Sequence, residues 1–382
     1  MDAQGEETVI AALQQRGRVA EIVLVGQTST TLERFAAALE EPLPALIHLN
    51  MKSDHVTAAA FPDAFLGGSA PRLRSIALSG IPFPALPNLV LSASNLQSLS
   101  LRYIPITGYI SPHAMVTVLP ALLNLESLAI RFQFIHDRPD RPFHITAPPL
   151  TRAVLPALTN FVFDGASEYL EDFVARIDPP LLNSLRMTLS LRFDIPQVYK
   201  LIDRTERFKK LNQAQMNLCA WGAWTAFGSS TGSPHALELR VNPIVLGRSL
   251  RVPSILPLLS QVERLHVVEE VKNGSKWQDR DHTDWLELLN PFVSVKSLYV
   301  DERLGPSVAQ VLQELAGERI MEVLPALHDL FLEGLQPSGS VQEALKPFVA
   351  ARQCSNHPVV IQRWDRMPKV KTALDRLLSG PR

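Results

Sequence analysis

Cysteine is nearly absent. The 382-residue chain has two, Cys219 and Cys354, set 135 positions apart. A disulfide framework is excluded, and a reducing compartment fits. Neither sign of charge prevails, with 37 Lys and Arg against 38 Asp and Glu. No general pull toward nucleic acid or anionic lipid follows. No uncharged apolar run reaches the ~18 residues of a membrane span. The opening residues, Met1 to Glu7, are acidic and do not read as a secretory or mitochondrial leader. The expectation is an intracellular protein, cytoplasmic or nuclear, that engages neither nucleic acid nor membrane.

Signatures of catalysis are equally sparse. The chain has no G-x-x-x-x-G-K-[ST] phosphate loop and no H-E-x-x-H zinc helix. Gly228-Ser229-Ser230-Thr231-Gly232 matches G-x-S-x-G. In a hydrolase that motif is a sharp strand-to-helix turn exposing a serine oxygen. Here Ser233-Pro234 follows, a poor helix entry, and no His and acid pair with Ser230. A structural turn is expected, with a serine hydrolase built on Ser230 as the alternative. Asp279, Asp281, His282 and Asp284 are the metal-like cluster, but the calcium-loop spacing and its last Glu are missing. They read as a solvated loop. Trp221 and Trp224 lack interleaved Arg or Lys, so they read as packing, not a base-stacking platform. No catalytic residue, cofactor or metal is expected.

What is abundant is leucine, in a recurring phrase. Leu96-Gln97-Ser98-Leu99-Ser100-Leu101 reads L-x-x-L-x-L, and Leu125-Glu126-Ser127-Leu128-Ala129-Ile130 repeats it. Twelve such phrases start at Val19, Leu46, Leu73, Leu96, Leu125, Leu158, Leu182, Leu211, Pro234, Val262, Val295 and Leu327. Their spacing runs from 23 to 33 residues. The phrases at Leu211 and Pro234 are the poorest, since Ala214 and Pro234 replace large aliphatic residues. Positions 4 and 6 are apolar and alternate with polar or small neighbours, the pattern of a strand with one buried face. Helical stretches lie between, at Thr31–Leu39, Ser167–Ile177 (Ser167 as cap), Gln310–Leu315 and Val341–Leu345. Strand alternating with helix implies parallel strands and crossovers. One rung cannot bury its own core, whereas a stack can.

The phrase resembles a leucine-rich repeat. As a whole the chain is similar to the irregular leucine-rich-repeat proteins of mushroom-forming fungi, many described as F-box-like. The strings that carry the likeness are Phe65–Leu73, Gly108–Pro112, Tyr169–Asp172 and Phe348–Gln353. The resemblance implies an α/β solenoid, a horseshoe of about twelve short parallel strands with helices on the convex side. It also implies a non-enzymatic scaffold, the substrate receptor of a ubiquitin ligase in the F-box case. Only 18 residues precede Val19, too few for an F-box module. The position-9 Asn or Cys of the repeat survives only as Cys219 and Asn242.

The expected organisation is a cap helix over 1–18, the solenoid over 19–364 and a helical tail or cap over 365–382. Pro358–Trp364 reads as a closing strand. Two long rungs carry insertions, Pro-rich at 138–149 and polar at 269–284. Position 5 points away from the core. Its first six residues, from Val23 to Val162, are small or short. Its last six are Arg186, Gln215, Glu238, His266, Tyr299 and Phe331. Arg and aromatic residues are enriched at protein interfaces. A protein or peptide partner is therefore expected on Arg186, Arg264, His266, Tyr299 and Phe331. His266 would make binding pH-dependent, because an imidazole titrates near neutrality.

Overall fold

Among the described residues, ten rungs begin with a turn that the phrase itself encodes. The amide of the rung's first apolar residue donates to the carbonyl three residues earlier. Leu46 bonds Leu43 at 3.1 Å, Leu158 bonds Leu155 at 3.3 Å and Leu327 bonds Leu324 at 3.0 Å. These are Leu-Pro-Ala-Leu strings, in which proline ends the preceding return and sets up extended chain. The same bond recurs without proline, for example Leu96 to Ala93 at 2.9 Å and Val295 to Phe292 at 3.4 Å. In most of these rungs the amides at positions 2 and 3 then share one carbonyl of the preceding rung. Gln97 and Ser98 both donate to Arg74, and Glu126 and Ser127 to Gln97.

The computed structural model describes residues 3–53, 60–133, 151–190, 195–219, 222–229, 236–241, 258–270, 282–317, 319–336 and 339–365. The early strands are β1 (Glu21–Gln27), β2 (His48–Ser53), β3 (Ser75–Ser79), β4 (Ser98–Ile104) and β5 (Ser127–Phe132). Next come β6 (Ala153–Val154), β7 (Asn160–Ala166), β8 (Ile177–Asp178), β9 (Ser184–Ser190), β10 (Gln213–Cys219), β11 (Gly222–Gly228) and β12 (Leu237–Val241). The last are β13 (Arg264–Glu269), β14 (Ser297–Val300), β15 (Asp329–Glu333) and β16 (Val360–Trp364). Helices are α1 (Ala3–Leu13), α2 (Ser29–Ala38), α3 (Leu86–Ser92), α4 (Pro112–Val118) and α5 (Ser167–Ala175). They continue as α6 (Pro196–Arg204), α7 (His282–Leu289), α8 (Gly305–Glu314) and α9 (Ser340–Cys354). A strand stands at every one of the twelve phrases, and β16 is the closing strand.

The chain divides into two compact units, residues 1–214 with 221–258 and residues 215–220 with 259–382. In the first unit the strand order is β1-β2-β3-β4-β5-β7-β9-β12-β11. All neighbours from β1 to β12 in that order are parallel, and β11 pairs antiparallel with β12. In the second unit the order is β10-β13-β14-β15-β16, parallel from β13 onward. The α/β class and mostly parallel sheet are as the repeat requires. Strictly parallel strands in chain order are not found: β12, not β10, lies beside β9. The departure falls on the two poorest phrases. An eight-residue link, 229–236, joins β11 to β12. That is enough for an antiparallel return and too short for a parallel crossover, which takes a dozen residues or more.

Positions 4 and 6 form the core. Leu99, Leu128, Phe161, Leu185, Leu265, Leu298 and Leu330 are each at most 1% exposed. In the first unit an aromatic cluster fills the space behind β5 and β7. Tyr169 packs on Phe132 and Phe163 at 4.9 and 5.7 Å between ring centres, and its hydroxyl donates to the Ile110 carbonyl at 3.1 Å. Ser167 is not the cap of α5. Ala166 holds that position with no side-chain bond, and Ser167 is the buried first helical residue.

Within the Phe65–Leu73 string, Leu66 and Gly67 have φ of 55° and 59°. A Cβ on Gly67 would lie 2.5 Å from Pro42 Cδ and 2.9 Å from its backbone nitrogen. Gly67→Ala is expected to cost about 2 kcal/mol, from left-handed strain plus the clash. Urea denaturation checks it, and a loss under about 0.5 kcal/mol contradicts it.

Candidate functional site: the open strand faces

In the second unit, β13, β14 and β15 pair in register. His266 stands opposite Tyr299, and Tyr299 opposite Phe331. Because Leu265, Leu298 and Leu330 point inward, these three rings point to the open face. They form a ladder. His266 stacks on Tyr299 with centres 4.2 Å apart, and Tyr299 on Phe331 at 4.4 Å, each with planes 5° apart. Strand spacing of about 4.8 Å brings in-register rings to stacking distance. All three are half-buried. Trp364, on β16, lies edge-on against His266 at 5.7 Å and Tyr299 at 5.4 Å. Arg264 is exposed on β13, opposite Ser297, which in turn faces Asp329.

Four of the five expected partner residues therefore share one face of the second unit. Arg186 does not join them. It belongs to the first unit, on β9, where its Nε donates to Glu238 Oε2 at 2.7 Å. Arg240 donates to the other Glu238 oxygen at 2.5 Å and lies over the Trp224 ring at 5.0 Å. Glu238 is only 7% exposed, so both guanidiniums hold it in place. Trp224 is half-buried beneath Arg240, and Trp221 lies outside the described residues. Trp364 is what sequence reasoning missed. It lies two residues past the Phe331 register partner Gln362, hence on the same face.

Ser230, Asp279 and Asp281 lie outside the described residues, as do the 138–149 insertion, most of the 269–284 insertion and the tail from 366. Among the described residues, no group of three or more His, Cys, Asp or Glu is placed to hold a metal. Nor, among them, is any helix long and apolar enough to cross a membrane. An apolar hollow in the first unit is lined by Leu78, Phe83, Met115, Phe132 and Tyr169, with Arg102 also on its wall.

Phrase, turn and parallel strand recurring together give this α/β protein leucine-rich-repeat character. The solved structure of the leucine-rich repeat-containing protein LegL7 from Legionella pneumophila is similar to it. Identity is 13%, over 89% of this chain and 98% of that one, at a TM-score of 0.33. No family model matches the chain, and no curated protein does.

Proposed function

We propose that the protein is a non-enzymatic interaction scaffold that docks a protein or peptide on the open strand face of its second unit. The ladder of His266, Tyr299 and Phe331 carries the reading. Three adjacent strands each spend their central outward position on a ring, where an unused face needs only small or polar cover. Arg264 and Trp364 extend the patch with residue types that anchor interfaces. Arg186, in the first unit and engaged by Glu238, is left out of this docking surface. The receptor role in an F-box-like assembly is the narrower form, and it rests on the strings quoted above.

The test is affinity capture from lysate with the wild-type protein and with the Tyr299→Ala, Phe331→Ala variant. A partner held by the first and lost from the second supports the proposal. Equal capture by both overturns it.

A further inference from the structure

The first unit has a different open face, and its chemistry differs too. At position 5, β4 and β5 carry Ser100 and Ala129. Beside this low floor stand arginines. Arg102 on β4 and Arg131 on β5 each follow the registered pair Leu101 and Ile130. Arg186 comes from β9.

Their charges are unevenly compensated: Arg186 is paired with Glu238 at 2.7 Å, and Arg131 lies beside Asp164 on the intervening strand β7. Arg102 is exposed, and its Nε meets only the Ser100 hydroxyl, at 3.1 Å. Among the described residues it has no carboxylate partner. Arg131 Nε is buried with no hydrogen bond, and it approaches Asp164 at 3.3 Å without bonding geometry. Burial holds the Arg131 guanidinium below its usual pKa. Asp164 opposes that shift, while Arg102 and Arg186 add to it. Arg131 therefore stands between two like charges. Arg102 is on its own side, along the small-residue strip at Ser100 and Ala129, and Arg186 lies beyond β7, which brings Val162 and Asp164 between them.

A fourth residue marks the place. The register of β4 against β5 slips between Leu101 and Ile104, a bulge at Arg102–Tyr103. Tyr103 has φ of 51° and is 60% exposed. The equivalent positions after β3 and β15 are Gly80 and Gly334, with φ of 69° and 66°. The repeat uses glycine there because a left-handed backbone strains any residue with a Cβ. Tyrosine at this point gains nothing from burial. Bulges and local strain of this kind collect where a side chain is aimed at a ligand.

We propose that this face of the first unit binds a phosphorylated segment of a partner polypeptide. The phosphoryl group would sit against Arg102, Arg131 and Arg186, with Tyr103 packing on the residue beside it. A compact dianion with three acceptor oxygens matches several convergent guanidiniums better than a single carboxylate does. A peptide is favoured over nucleic acid because the floor offers Ser100 and Ala129 where successive bases would need rings to stack on. The site is independent of the ladder in the second unit.

The test is fluorescence anisotropy on the full chain. The probe is a labelled nonapeptide pool with central phosphoserine and randomised flanks, compared with the same pool unphosphorylated. The phosphorylated pool is expected to bind at least tenfold more tightly, with inorganic phosphate competing. Arg102→Ala, on an exposed side chain, should fold normally and lose about tenfold. Tyr103→Gly should unfold at the same or higher urea concentration, since it relieves strain, and still lose severalfold in binding. The Tyr299→Ala, Phe331→Ala variant should bind the pool unchanged. Equal binding of the two pools overturns the proposal, as does indifference to Arg102→Ala. Tighter binding of a single-stranded oligonucleotide than of the phosphopeptide pool also overturns it and assigns the face to nucleic acid.

Discussion

Arg352→Ala is expected to lower stability by about 3 kcal/mol or more, although arginine on a surface helix is normally dispensable. Arg352 lies near the end of α9 and is fully buried. Its guanidinium donates to the carbonyls of Leu324 at 2.5 Å and Pro325 at 3.1 Å. Those two residues open the Leu-Pro-Ala-Leu turn ahead of β15, and Leu324 sits at φ of 49°. The arginine therefore fixes the turn that starts the next strand. Desolvation pushes its pKa down, yet an arginine stays charged at any workable pH because its ordinary value lies so high. Among the described residues no carboxylate neutralises it. Truncation removes two charge-assisted bonds and leaves a cavity. Arg352→Met keeps most of the volume and sheds the buried charge, so it should cost about half as much. Urea unfolding followed by tryptophan fluorescence checks both, with buried Trp285 in the same unit as reporter. A loss below about 1 kcal/mol for the alanine variant would show that the guanidinium does not hold the turn.

The Tyr299→Ala, Phe331→Ala variant should weaken partner binding by more than a hundredfold. One interface anchor is worth about 2 kcal/mol, roughly thirtyfold. The two rings touch, so their effects overlap and about 3 kcal/mol is expected for the pair. Fold stability should fall by a smaller amount. Each ring pair contributes on the order of 1 kcal/mol beyond its area. Leu298, Val300, Leu330 and Leu332 remain buried beneath the lost rings. The variant should therefore stay folded at 25 °C. A titration against the captured partner measures the affinity, and circular dichroism confirms the fold. If the variant folds and binds with undiminished affinity, the ladder has a structural role only.

Most of the fold was legible in the sequence because one rule generates it. Alternation at positions 4 and 6 predicts which side chains turn inward, and Leu298 and Tyr299 fall on opposite faces as that rule demands. It fails where the phrase fails. Gly222–Gly228 has glycine at both ends and too short an alternation to announce a strand, so β11 was not foreseen. The site was legible in part for the same reason. Position 5 alone finds His266, Tyr299 and Phe331, but comparison at that one position passes over Arg102 and Arg131, which stand at position 7. Trp364 read only as a closing-strand residue, since its contact with Tyr299 depends on a side-chain direction that spacing cannot give. Arg352 was hidden more completely. A cation in a helix reads as solvent-facing, and the carbonyls that hold it lie 27 and 28 residues away.

On the proposed reading, a partner sits on the ladder face. A photo-crosslinking residue in place of Phe331 tests that directly. Val293, 44% exposed in the same unit, serves as control position. Irradiation in lysate should give a discrete protein adduct from position 331, lost when Tyr299→Ala is added, with no such adduct from position 293. The same adduct from both positions, or one from position 331 that survives Tyr299→Ala, would contradict it.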